Sequence, residues 1–143
     1  MIYTQMTKTA MRLCYEAHKD QFDKSGIPYV FHPLHLAEQM EDEETTIVAL
    51  LHDVIEDSNY TIADLEAMDF SERILTALKL LTHEKGVPYM EYIAKIKEDP
   101  IARTVKLADL AHNSDLSRLD EVDEKAIRRA TKYAKAIQLL NKI

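Results

Sequence analysis

Two glycines and four prolines in 143 residues constrain this chain more than any other feature. Sheet-rich folds use glycine in tight turns, and dinucleotide folds use it where the backbone must approach a pyrophosphate. Gly26 and Gly86 are far apart, so neither a G-x-G-x-x-G turn nor a P-loop can be written. The expectation is an all-α chain of about eight helices with short connections, forming one domain over residues 1–143. The composition is that of an ordinary globular domain, 46% hydrophobic and 30% charged, and is long enough to bury a core. One cysteine, Cys14, excludes an internal disulfide and any cysteine-rich zinc module. The net charge of −7, from 25 acidic against 18 basic residues, argues against a DNA- or RNA-binding surface. The apolar run Ile47–Leu51 is far too short for a bilayer, and the N-terminus carries no signal-peptide core. A cytoplasmic protein with no membrane partner is therefore expected. Nothing in the sequence sets an oligomeric state.

Hydrophobic spacing supports the helical reading. Met6, Ala10, Leu13, Cys14 and Ala17 recur at helical intervals and predict a first helix ending near Lys19. A second is expected from Pro33 to Met40, after the polar loop Asp23–Gly26. A third runs from Glu43 to Asp57. Thr61 with Asp64 reads as a capping box, and Ser71 as the N-cap of a helix that packs through Ile74, Leu75, Leu78 and Leu81. Pro88 opens the next, which stops before Asp99–Pro100, and another covers Ile101 to Leu116. The last, from about Asp123, is expected to bury Ile127, Ala130, Ala134, Ile137 and Leu140. Gly26-Ile27-Pro28-Tyr29 is echoed by Gly86-Val87-Pro88-Tyr89, which reads as two similar helix entrances and not as a duplication.

The third segment carries the sharpest chemical signal, Leu50-Leu51-His52-Asp53-Val54-Ile55-Glu56-Asp57. On a helix, Leu50, Leu51, Val54 and Ile55 fall on one side and His52, Asp53, Glu56 and Asp57 on the other. A solvated polar face is the plainer reading. Three carboxylates and an imidazole within six residues nevertheless repel one another unless a cation or a proton relieves them. Further ligands are available at His32, before Pro33, and at Asp109, in a largely apolar helix where Lys106, Asp109 and Asn113 share one face. That trio reads equally well as a surface Lys106–Asp109 pair beside an exposed asparagine. Spacing alone does not bring the three segments together.

The pattern His32…His52-Asp53…Asp109 resembles that of the HD-domain metal phosphohydrolases. Ala17-His18, Gln21, Lys24-Ser25-Gly26, Pro28-Tyr29, His32-Pro33, the block His52–Asp57, Lys106-Leu107-Ala108-Asp109 and His112-Asn113 are similar to the hydrolase domain of RelA/SpoT-type alarmone enzymes and to free-standing small alarmone hydrolases. The likeness runs from residue 10 to about 118. It implies a compact HD-type helical fold and one divalent ion, usually Mn²⁺, on His32, His52, Asp53 and Asp109. It also implies hydrolysis of the 3′-pyrophosphate of guanosine tetra- or pentaphosphate. Glu56 would orient or deprotonate the attacking water, and Asp57 would assist it or hold the leaving group's proton. Lys24, Ser25 and Asn113 match positions that contact the nucleotide. No synthetase activity is expected, since it would need well over ~100 further residues.

The family pattern is departed from at three places. An arginine that stacks on the guanine base is replaced by Asp23, a second arginine by Leu110, and a threonine by Leu116. Two other outcomes stay open on these grounds. One is an HD phosphohydrolase for another phosphorylated nucleotide, and the other is a regulatory HD module that binds without turnover.

Overall fold

Helix α3, Glu43–Leu51, is buried on every side from Thr45 to Leu51, and the rest of the molecule is arranged around it. The computed structural model describes residues 1–143. Helices α1 (Gln5–His18) and α2 (Phe31–Glu38) precede α3, and α4 (Val54–Asp57), α5 (Ile62–Ala67) and α6 (Glu72–Leu81) follow it. Then come α7 (Tyr89–Lys97), α8 (Pro100–Asn113), a single 3-10 turn at Leu116–Arg118, and α9 (Glu124–Asn141). α3 packs against α1, α2, α6 and α8, while α7 and α8 pack against α9. The chain is all-α, with one apolar core that includes Leu36, Ile47, Leu50, Leu78, Ile93 and Leu110. No helix is long and apolar enough to cross a membrane.

The caps read from sequence define the helix starts. Thr61 and Asp64 form the reciprocal box that opens α5, and Ser71 Oγ accepts the Ile74 N–H at the start of α6. Asp99 caps α8, with Pro100 at its first position, where the missing N–H costs nothing. Gly26 and Gly86 both adopt positive φ, +79° and +87°, which explains why the two glycines sit at the two loop-to-helix entrances. Cys14 is buried as expected, and burial pushes its thiol up to about 12.

Two expectations are corrected. The run from Glu43 to Asp57 is not one helix, because it breaks at His52–Asp53, where Asp53 sits at φ −107°, ψ 0°. His52 Nδ1 lies 2.7 Å from the Ala49 carbonyl, the group that a continuing helix would offer to the Asp53 N–H. In α9 the buried side is rotated relative to the expected stripe. Ala126, Ala136 and Leu140 are buried, whereas Ile127 is 53% exposed and Ala134 is exposed. α9 is covered mainly by α7 and α8, so small residues and Tyr133 meet them and part of the apolar sequence stays in solvent.

Candidate metal centre

The break after α3 places His52 at the centre of the molecule. Its imidazole is 3% exposed, with Nδ1 on the Ala49 carbonyl. A carbonyl oxygen only accepts, so the Nδ1 proton is fixed and Nε2 faces inward as a lone pair when the ring is neutral. That Nε2 atom is buried without a hydrogen-bond partner of good geometry. It points between two carboxylates, 3.1 Å from Asp53 Oδ2 and 3.5 Å from Asp109 Oδ1.

The other members arrive from α2 and α8. His32 occupies the first turn of α2 and brings Nε2 to 2.8 Å from Asp109 Oδ1. One ligand atom each from His32, His52 and Asp109 lies within 4.8 Å of the other two, and all three residues are buried. Asp53 touches this group through His52 and is held to the side by Tyr29, whose hydroxyl donates to Asp53 Oδ2. Asp109 is held in turn by Lys106 Nζ at 2.9 Å and Asn113 Nδ2 at 2.9 Å. The reading of Lys106 and Asp109 as an exposed pair is therefore corrected: Asp109 is 5% exposed and the Lys106 ammonium lies 5.2 Å from the centre of the Tyr92 ring.

The electrostatics of the centre call for positive charge. Burial opposes charge on Asp109, but Lys106 and the two histidines outweigh it and hold the carboxyl well below its usual range. Burial likewise opposes charge on His52, and the carboxylates of Asp53 and Asp109 override it, raising the imidazole well above its ordinary value. The field that draws a proton to His52 would favour a divalent cation at the same point. Two imidazole nitrogens and carboxylate oxygens make a mixed N/O donor set of the kind that suits Mn, Fe or Zn. The buried, unpartnered Nε2 of His52 fits such an ion.

No protein-family model matches this chain. Curated relatives do. The bifunctional (p)ppGpp synthase/hydrolase SpoT of Escherichia coli is 36% identical over 112 residues, covering 68% of this chain and 16% of that protein. A guanosine-3′,5′-bis(diphosphate) 3′-pyrophosphohydrolase of Aquifex aeolicus is 32% identical over 123 residues, covering 78% of this chain and 18% of its own length. A solved structure, described as a metazoan orthologue of SpoT that hydrolyses ppGpp, matches with a TM-score of 0.78 at 22% identity. It covers 99% of this chain and 88% of that one. The chain is an HD-type domain homologous to part of the RelA/SpoT enzymes. It spans less than a fifth of the length of those curated relatives.

Beside its buried centre the HD domain has a cleft of about 330 Å³, whose lining includes Lys24, Ser25, His32 and Asn113. Lys24, Ser25 and Asn113 therefore share one cavity with His32, the member of the centre that lines it. Glu56 and Asp57 lie on α4 at the protein surface. Glu56 Oε1 accepts the His83 N–H, which ties α4 to the loop before α7. Gln21 Nε2 donates to the Asp57 carbonyl at 2.7 Å and ties α4 to the end of α1. Partial desolvation and the neighbouring carboxylates of Asp53 and Glu56 push the Asp57 carboxyl up to about 6.

The departures from the family pattern acquire physical roles. Asp23 Oδ1 accepts the N–H groups of Ser25 and Ile27, so the carboxylate closes its own loop. Its Oδ2 lies 3.7 Å from the guanidinium of Arg118. Arg118 also donates to the His112 carbonyl at 2.9 Å, and Ser25 Oγ donates to the Arg118 carbonyl at 3.1 Å. Leu110 is buried in the core, and Leu116 lines the cleft. Sequence reasoning did not assign site roles to Tyr29 or His112, although both stand inside the matched motifs. No spacing rule reveals a partner 95 residues away in sequence, as Arg118 is from Asp23.

Proposed function

We propose that this HD domain is a Mn²⁺-dependent hydrolase that removes the 3′-pyrophosphate of guanosine tetra- or pentaphosphate, returning GDP or GTP plus pyrophosphate. The observation that carries the reading is the buried convergence of His32, His52 and Asp109 around an unpartnered imidazole nitrogen, beside a cleft lined by Lys24, Ser25 and Asn113. The relatives named for this reaction support the choice of substrate. The substrate is a soluble guanine nucleotide, the setting is the cytoplasm, and neither nucleic acid nor membrane takes part.

In this reading His32, His52, Asp53 and Asp109 hold a single ion. When bound, such an ion acidifies water and neutralises charge on the phosphoryl oxygens. Lys106 and Asn113 keep Asp109 aimed, and Tyr29 does the same for Asp53. Glu56 would accept a proton from the attacking water, and Asp57 would assist it or hold the proton for the departing 3′-oxygen. Lys24 and Asn113 bind phosphate or sugar oxygens, and Ser25 fixes the loop that carries Lys24.

A second reading, hydrolysis of another phosphorylated nucleotide, is favoured by Asp23, whose carboxylate stands in the cleft where the family pattern has a cation. A nucleotide panel with Mn²⁺, assayed separately for phosphate and pyrophosphate, tests both. Pyrophosphate from guanosine tetraphosphate, faster than any product from the other nucleotides, is the expected result. Orthophosphate alone, or faster turnover of a nucleotide lacking the 3′-pyrophosphate, moves the assignment to the second reading.

A further inference from the structure

We infer that His112 is a positioning residue that decides which nitrogen of His32 carries the proton, and so whether His32 presents a lone pair to a cation. The inference rests on the ion site proposed above and concerns the side chain behind one of its ligands.

The two imidazoles of the centre are oriented by different kinds of partner. His52 Nδ1 faces a carbonyl, and its tautomer is fixed without further help. His32 Nδ1 instead lies 2.7 Å from Nδ1 of His112. A neutral imidazole nitrogen either donates or accepts, so the contact has two senses. The ring planes are 5° apart and the centroids 5.0 Å apart, much farther than the two nitrogens. The nitrogens therefore lie between the ring centres, edge to edge, along the direction in which an N–H meets a lone pair.

The two senses have opposite consequences at the other end of His32. With the shared proton on His32 Nδ1, Nε2 is a lone pair aimed into the centre. With it on His112, neutral His32 must be protonated at Nε2, which then donates to Asp109 Oδ1 at 2.8 Å and shuts out a cation. His112 acting as acceptor is thus the condition for His32 to act as ligand. The fold holds His112 for this purpose. It lies one turn after Asp109 on α8, so one helix supplies both a ligand and the group that orients another ligand. Its ring packs on His35 at 4.1 Å, and its carbonyl is clasped by Arg118.

The test is Mn²⁺ affinity of the full chain, measured by competition with a chelator, for wild type, His112→Leu and His112→Asn. Leucine removes the acceptor. Asparagine puts an oxygen the same number of bonds from the backbone as Nδ1. We expect His112→Leu to weaken Mn²⁺ binding by about 10–100-fold and His112→Asn to restore most of the loss. The thermal midpoints of the chelator-treated proteins should stay together, which a merely structural role would not give. The ¹⁵N resonances of His112 in wild-type protein loaded with diamagnetic Zn²⁺ should show an unprotonated Nδ1 that accepts from His32, a readout that holds even if the leucine variant fails to fold. Equal Mn²⁺ affinity in wild type and His112→Leu overturns the inference alone, as does an Asn variant no better than Leu or a Zn²⁺-loaded protein in which His112 carries its proton on Nδ1. A wild type that binds no Mn²⁺ overturns the ion site and this inference with it.

Discussion

The buried centre and the rim of the cleft are built on opposite principles, although His32 and Asn113 border both. At the centre, each polar side chain is held by at least one other polar group. Lys106 and Asn113 fix Asp109, Tyr29 fixes Asp53, and the Ala49 carbonyl fixes His52. At the rim, Lys24 is exposed, and Asp23 is committed to its own loop and to Arg118. The centre follows the H…HD…D pattern residue for residue, whereas the rim departs from its family pattern at Asp23 and Leu116. On the function proposed above, low-dielectric, cross-braced groups would set which reaction is possible, and solvent-screened groups at the rim would set which nucleotide is held. Substitutions in the two regions should therefore fail differently.

The largest effect is expected at the centre. Asp109→Ala removes a candidate ligand and leaves the mostly covered Lys106 ammonium charged without its partner, a loss on the order of 3 kcal/mol of stability. Bound metal should fall to background by elemental analysis, and denaturant midpoints should fall with it. Full metal occupancy in this variant would break the comparison at its strongest point. Next comes Glu56→Gln, which keeps shape and the contact to the His83 N–H while losing the basic carboxylate. Turnover should drop by about 10²–10⁴-fold with metal content unchanged. Activity within a few-fold of wild type would leave Glu56 as a tie between α4 and the following loop.

At the rim, Asp23→Asn keeps the oxygen that accepts from Ser25 and Ile27 but removes the charge. KM for a nucleotide polyphosphate should fall by roughly 2–5-fold with kcat nearly constant, the scale of one screened surface charge. A kcat change as large as the KM change would mean that rim and centre are not separable. Asp23→Arg is a poorer probe, because it removes both loop hydrogen bonds along with the charge.

The smallest effect concerns pH. The folded chain raises the Asp57 carboxyl to about 6 from an ordinary 3.8, so the folded state binds its proton more tightly than the unfolded state. The resulting destabilisation is absent below the unfolded value, grows between the two values, and is complete above about 6. In chelator-treated protein, Asp57→Asn should raise the thermal midpoint at pH 7.5, and the gain should shrink as pH falls from 6 towards 4. A gain independent of pH would assign the effect to packing.

Much of this was legible beforehand because it depends on local chemistry. Ser71 and the Thr61–Asp64 box mark helix starts through bonds made within one turn. The stripe of α6 and the burial of Cys14 follow from spacing. The phase of α9 was not legible, because which side is buried depends on where α7 and α8 lie. Nor was the break at His52, since its cause is a side chain competing for a backbone carbonyl.

The sequence by itself determined an all-α chain and named His32, His52, Asp53 and Asp109 as belonging together through their resemblance to a known pattern. Only the tertiary structure decided how they meet. It buried Asp109 against Lys106 where spacing alone left a surface pair equally open, put Tyr29 behind Asp53, and set His112 against His32 from eighty residues away in sequence. The physical reason is that helix propensity and capping are decided within a turn or two. The direction of a lone pair or the strength of a buried charge is decided by whatever the fold places on its far side.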